Sequence, residues 1–263
     1  MTTLGLAARW LGIGLGLYLA LAYVVLPALW RHYEHQPAMA TMPTVTSTSD
    51  GHPGDPLNVA LVGTEAEVQR AFAAAHWSPA DPITLRSSLG IAESVVLDRP
   101  DPTAPVSSLF LFGRKQDLAF EREVGASASE RHHVRFWRTP LHADDGRPVW
   151  IGSAAFDRSA GLSHTTGQIT HHIAADVDAE RDAVMRDLGD ARWLVTLYDV
   201  TGVGPTLNGR NGGGDRYFTD GELTVGVLAP GGVGGHPAPL RLESPTAVVI
   251  KKQFWTWLRP ALD

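Results

Sequence analysis

The sequence has no cysteine. That absence excludes disulfides, thiolate metal sites and a cysteine nucleophile, and it leaves cytoplasm and oxidising compartments equally open. Basic charge is scarce as well. With 22 Lys+Arg against 28 Asp+Glu the formal net charge is -6, so no basic surface for nucleic acid is implied. Neither Ser153 nor Ser163 sits in a Gly-x-Ser-x-Gly elbow, which argues against a serine hydrolase of that type. The glycine-rich stretch from Gly202 to Asp215 contains no Gly-Lys-Ser/Thr and holds Pro205, so it reads as a long loop, not a phosphate loop. What the chain does have is a 44% hydrophobic content, enough for a real core, and 27 Gly with 18 Pro, which suit many turns more than a helical bundle.

Charge is also missing from Leu11 to Leu29. A helix rises about 1.5 Å per residue, so roughly 20 such residues cross the hydrocarbon core of a bilayer. Trp10 and Trp30 flank the run, where indole rings favour the headgroup level. Residues 1–34 are therefore read as a transmembrane anchor, contacting lipid through residues 10–30. Ala38-Met39-Ala40 resembles a cleavage site, but it lies far beyond an apolar run already too long for a signal peptide. A single uncleaved anchor ordinarily leaves the following domain outside the cytoplasm, at the bacterial inner membrane. Residues 35–56 carry Pro37, Pro43, Pro53 and Pro56 and a Thr/Ser run. They have too little apolar surface to offset ordering and are read as a flexible linker. On that reading a chain beginning near Gly54 should still fold.

The remainder, 57–263, is read as one domain ending in a tail. Leu57–Val62 is a short buried strand, and Thr64 with Glu67 forms a capping box opening a helix. Asp81-Pro82 starts a second helix running to about Leu97. Ser108–Phe112 is a strand that Leu118–Phe120 returns to as a hairpin partner. His132–Arg138 alternates as a strand, and Asp144-Asp145-Gly146 turns it into Val149–Phe156. Gln168–Ile173 is a further strand, Asp176 caps a helix to about Leu188, and Trp193–Val200 is extended. Tyr217–Val227 reads as a hairpin turned at Asp220-Gly221. Thr246–Ile250 looks like a strand, and Phe254–Leu258 with Lys251, Lys252 and Arg259 suits either core cover or a membrane surface. The fold class is α+β: a mostly antiparallel sheet with packed helices, preceded by a single N-terminal transmembrane helix.

Four of the eleven histidines form two pairs, His132-His133 and His171-His172. Adjacent strand residues point to opposite faces, so only one of each pair can serve a given site. One from each, joined by Asp157, Asp176 or Asp178, would give a His/His/carboxylate set of the kind zinc or iron uses. His132 shares its face with Val134 and Phe136 and is expected to be the buried member; His133, beside Arg135, is expected at the surface. Candidates for acid–base chemistry are thus His132, His133, His171, His172 and Asp157. Candidates for a divalent metal are His132, His171, His172, Asp176 and Asp178. The competing interpretation makes Asp176, Asp178 and Glu180 simply first-turn residues that suit a helix N-terminus, and the histidines structural.

Five motifs in order carry a family resemblance: Leu57–Gly63, Leu109–Arg114, His132–Trp137, Trp150–Asp157, and Thr170–Ile173 leading to Asp178–Asp182. Over Pro56 to about Leu228 the chain resembles the LssY C-terminal domain family. In larger relatives that domain follows multi-span regions similar to DedA proteins or lipid-phosphate phosphatases. Only one span is read here, so phosphatase chemistry does not carry over, and the resemblance supplies no activity for the domain itself. Two function classes follow. One is a membrane-anchored envelope module that binds a protein or lipid partner. The other is a metal- or histidine-dependent hydrolase acting on an envelope or phosphate-containing substrate.

Overall fold

The structure is a computed structural model, and it describes residues 3–33, 42–80, 108–125, 130–165, 167, 169–200, 207–241, 249–250 and 253–254. The chain divides into two units, Met1–Ala40 with Glu243–Asp263, and Thr41–Leu242.

In the first unit, α1 (Thr3–Ala20) passes through a π-helical turn, Leu21–Val25, into α2 (Leu26–Tyr33). Pro27 explains the turn. It has no N–H to give, and its ring crowds the carbonyl four residues back, so the helix widens just before it. Gly5–Leu29 is long and apolar enough to cross a membrane, with mean hydropathy 2.0. Val249 and Ile250 are helical, which departs from the extended run suggested by the β-branched residues there.

The second unit is a large mixed sheet with helices on one face and a small sheet on the other. In chain order its strands are β1 (Val45–Ser47), β2 (Pro53–Pro56), β3 (Val59–Val62), β4 (Ser78–Pro79), β5 (Phe110–Leu111), β6 (Arg114–Lys115) and β7 (Leu118–Glu123). They continue as β8 (Arg131–His142), β9 (Pro148–Leu162), β10 (Ile169–Ile173), β11 (Leu194–Val200), β12 (Leu207–Arg210), β13 (Arg216–Thr219), β14 (Leu223–Leu228) and β15 (Leu240–Arg241). The large sheet runs β15-β11-β14-β3-β9-β8-β7-β4, with β10 added to the far end of β9. Pairing is antiparallel except for β14 with β3 and β11 with β15. The α+β class is the one observed.

Helices α3 (Glu65–Ala74) and α4 (Val177–Asp190) cover one face. Thr64 and Glu67 form the capping box, with Thr64 N donating to Glu67 Oε2 at 2.7 Å. The core between helices and sheet includes Val68 and Phe72, Val184 and Leu188, and Val134 and Phe136. Phe72 stacks on Phe120 at 4.2 Å between ring centroids. Asn58 ties this layer together. Its side chain donates to the carbonyls of Ala154 and Val177 and accepts from Ala154 N, so the start of α4 is pinned to β9.

Three local expectations need correction. Residues 45–56, read as linker, hold two paired strands: Val45 faces Pro56, and Ser47 pairs with both Pro53 and Phe110. Thr46 is buried and its hydroxyl donates to Asp55 O at 2.9 Å. The prolines are tolerated because β2 is the edge of the small sheet β2-β1-β5-β6. Second, the hairpin after Phe110 closes at once. Phe112 and Gly113 both take positive φ (54 and 73), the two-residue turn that brings Leu111 opposite Arg114. β7 then joins the large sheet through β8. Third, β13 and β14 do not pair across Asp220-Gly221. β13 pairs β12, while β14 lies between β11 and β3. Asp178 at the start of α4 accepts from Thr219 Oγ1 (2.8 Å) and Asp220 N (2.6 Å), which diverts the chain there. The helix expected from Asp81 to Leu97 lies outside the described residues.

Candidate functional site

The long hairpin β8–β9 builds the site. Its register sets Arg131 opposite Asp157, His133 opposite Ala155 and Arg135 opposite Ser153, all on one face. On β7, Glu121 faces His133. This face is opposite to Val134 and Phe136. It is nonetheless interior, because the small sheet lies over it: Arg135 Nη1 donates to Asp55 Oδ2 of β2 at 3.3 Å, and Trp137 Nε1 to Arg114 O of β6 at 3.2 Å. His133 is therefore 2% exposed, where a surface position was expected. Alternation correctly groups residues by face, but it does not say what covers each face.

Arg131 organises the charge. Its Nε donates to Asp157 Oδ2 at 2.9 Å and its Nη1 to Glu121 Oε2 at 2.7 Å, while Nη2 lies 3.5 Å from His171 Nδ1. An arginine only donates, so this last contact leaves the lone pair on Nδ1 of His171 and the proton on Nε2. Burial pushes the Asp157 carboxyl up, but His133 and Arg131, with His171 beyond them, outweigh it and hold it well below the usual carboxylate range. Burial lowers His171 to about 4, against the attraction of Asp157 and reinforced by Arg131, so the ring is neutral at pH 7. Burial likewise lowers Arg135, opposed by Asp55 and Asp157. His133 Nδ1 is 3.3 Å from Asp157 Oδ1, close enough for an ion pair but without hydrogen-bond geometry. Neither of its ring nitrogens has a hydrogen-bond partner among the described residues.

Above this cluster is an open cleft of about 440 Å³, a size suited to a small ligand. Its walls include Arg131, His133, Arg135, Asp157 and His171 from the large sheet, and Asp55, Lys115 and Asn211 from the small sheet and the β12–β13 turn. Basic and acidic groups are balanced, and hydroxyls of Thr48, Ser49, Ser163 and Thr170 lie among them.

Of the residues singled out in the sequence, the structure brings His133, His171 and Asp157 to one cleft and sends the others elsewhere. His132 points to the helix side, its Nδ1 2.8 Å from Glu180 Oε2 and its ring against Phe156. His172 points away from the cleft, with Nδ1 2.8 Å from Asp215 Oδ1. Asp176 caps α4, its Oδ1 accepting from Ala179 N at 3.0 Å, and Asp178 holds the 219–220 turn. Neither carboxylate joins a histidine, because both are spent on the backbone and side chains at the helix N-terminus. Arg131, Glu121, Asp55, His164 and Asp215 were not marked by the sequence. For Arg131 and Glu121, the signal was their place on the same strand faces as His133.

A family model described as LssY C-terminus matches residues 39–223. No curated protein matches the chain, and neither does any solved structure.

Proposed function

The chain belongs to the LssY C-terminus family, and from the cleft it carries we infer that it is a membrane-anchored envelope module that binds a small polar ligand. One observation carries this reading: His133 is buried on the cleft wall, with no hydrogen-bond partner for Nε2 among the described residues and only the Asp157 carboxylate, at 3.3 Å and without hydrogen-bond geometry, beside Nδ1. Buried polar atoms are ordinarily satisfied, and a ligand supplies the missing partner. The balanced lining favours a ligand with both donors and acceptors, such as a sugar or a zwitterionic headgroup, over a simple anion. Gly5–Leu29 tethers the domain to the bacterial plasma membrane, on its outer side, where such ligands are met.

A second reading, hydrolysis, has one specific support. His171 and Asp157, a histidine and a carboxylate, line the same wall of the cleft. Binding is preferred because Asp157 is tied to Arg131 and shows no free role towards a nucleophile.

The test is a thermal-shift series on the full chain in detergent, with monosaccharides, phosphoethanolamine, phosphocholine and inorganic phosphate as probes. One of the first three should raise the melting temperature, and His171→Phe, which fills the cleft, should remove the rise. Flat responses throughout would end the binding reading.

A further inference from the structure

Behind the cleft, β10 alternation turns His172 toward a second group of ligands. Its Nδ1 is 2.8 Å from Asp215 Oδ1, and His164 Nε2 approaches the same oxygen at 3.8 Å. The two imidazole rings are 5.1 Å apart. One donor atom from each of His164, His172 and Asp215 lies within 4.8 Å of the others, and this is the only such set among the described residues. We propose that these three side chains bind a divalent metal of the zinc class, with an open position that takes an oxyanion.

The donor chemistry fits. Two imidazoles and one carboxylate are the protein ligands of open zinc sites, with the fourth position left to water or substrate. Tetrahedral bonds of about 2.0–2.1 Å place donors about 3.3 Å apart. The pair at 2.8 Å must therefore open and the pair at 3.8 Å close, each by about half an ångström, as a shared proton gives way to a shared ion. Both ends of the set are held. Asp215 Oδ2 accepts from Ile173 N (3.2 Å), Asp215 N donates to Asn211 Oδ1 (2.9 Å), and His164 N donates to Gly213 O (2.9 Å). Gly161 makes room for the ring of His172: a Cβ there would sit 2.8 Å from Nε2. His164 is largely exposed, so the site opens to solvent.

The surroundings name the second ligand. The adjoining cleft is lined by Arg158, Arg210 and Arg216, with Asp215 as its only carboxylate among the lining residues. Such a rim repels a bare cation. It suits a cation that arrives with, or then captures, a phosphate or carboxylate, to which guanidinium groups bind bidentately. Only Ile173 is shared with the lining of the first cleft, so this site stands or falls separately from the ligand-binding reading.

The experiment uses the full chain in detergent, purified without a histidine tag, stripped with chelator and loaded with Zn²⁺ or Co²⁺. One equivalent of metal should remain after desalting, and Co²⁺ should show the visible bands of a low-coordinate site. Inorganic phosphate should shift those bands. His164→Ala and Asp215→Asn should each weaken binding more than about tenfold, since even residues that merely support a ligand cost that much. His171→Ala should leave uptake unchanged. Asp215 also serves the backbone, so the exposed His164 decides the matter if Asp215→Asn misfolds. Equal uptake by wild type and His164→Ala, or less than stoichiometric metal in wild type, overturns the site. Metal binding with bands indifferent to phosphate and to acetate overturns the oxyanion.

Discussion

The ionisation of His171 makes the stability of the folded unit depend on pH in a calculable way. The folded-state value is lowered from 6.5 to about 4, chiefly by burial, with Arg131 adding to the effect. Above pH 6.5 neither folded nor unfolded chain protonates this ring. Between about pH 6.5 and 4 only the unfolded chain does, so stability falls as pH is lowered; below the folded value both are protonated and the loss is complete. A difference of 2.5 units at 1.36 kcal/mol each is about 3 kcal/mol. Domains are typically stable by only about 5–15 kcal/mol, so this is a large share. Asp157, whose folded-state value is depressed, acts in a different window: its contribution is present above about pH 4 and is lost only at lower pH. The assay is urea unfolding of Thr41–Leu242 at half-unit steps from pH 7.5 to 4.5, for wild type and His171→Gln. Wild type should lose about 2.5 kcal/mol more than the variant over that range, since about 2 of the 2.5 units lie above pH 4.5, with the difference opening below pH 6.5. Parallel curves would show that His171 is not held neutral by the cleft, and the argument for its buried lone pair would fail.

Asp157→Asn should destabilise the same unit by about 3–5 kcal/mol, measured by urea unfolding at pH 7, because it breaks the buried ion pair at Arg131 Nε and leaves a neutral amide in place of the carboxylate beside His133. A chain starting at Gly54 should be insoluble or melt well below one starting at Thr41, since it loses β1, the strand that joins β2 to β5. Equal melting temperatures would restore the linker reading of 45–56. The full chain should remain with membranes after alkaline extraction; recovery of a mature soluble form beginning near Thr41 would mean that Gly5–Leu29 is removed as a signal.

What could be read from the sequence was whatever depends on near neighbours. The Thr64–Glu67 box spans three residues, and the Ala143–Arg147 turn closes on its own hydrogen bond, so both are visible in a short window. Strand pairing is different. Nothing local in Val45–Ser47 reports that Phe110 will lie beside it, so its threonine and serine and the following prolines pass for linker. The misread turn at Asp220-Gly221 has the same origin. Its residues suit a hairpin, but the deciding contact comes from Asp178, 42 residues earlier.

The histidine pairs show the same division in the site itself. A doublet on a strand sends its members to opposite faces, so two doublets on neighbouring strands supply at most two rings to one cleft. Here those rings are His133 and His171, and the carboxylate they share, Asp157, comes from the strand between them. Each leftover ring finds a distant partner: Glu180 lies 48 residues from His132, and Asp215 lies 43 from His172. Those distances explain why nearby acids such as Asp176 and Asp178 looked like the missing ligands and are not. Glu180 differs from Asp178 by only two positions, but on a helix that is just over half a turn. It places one carboxylate against His132 in the core and the other at the Thr219–Asp220 turn. Alternation allowed one ring from each pair, and one from each lines the cleft, while the distant acids beside the other two rings, Glu180 and Asp215, left no mark next to the histidines they serve.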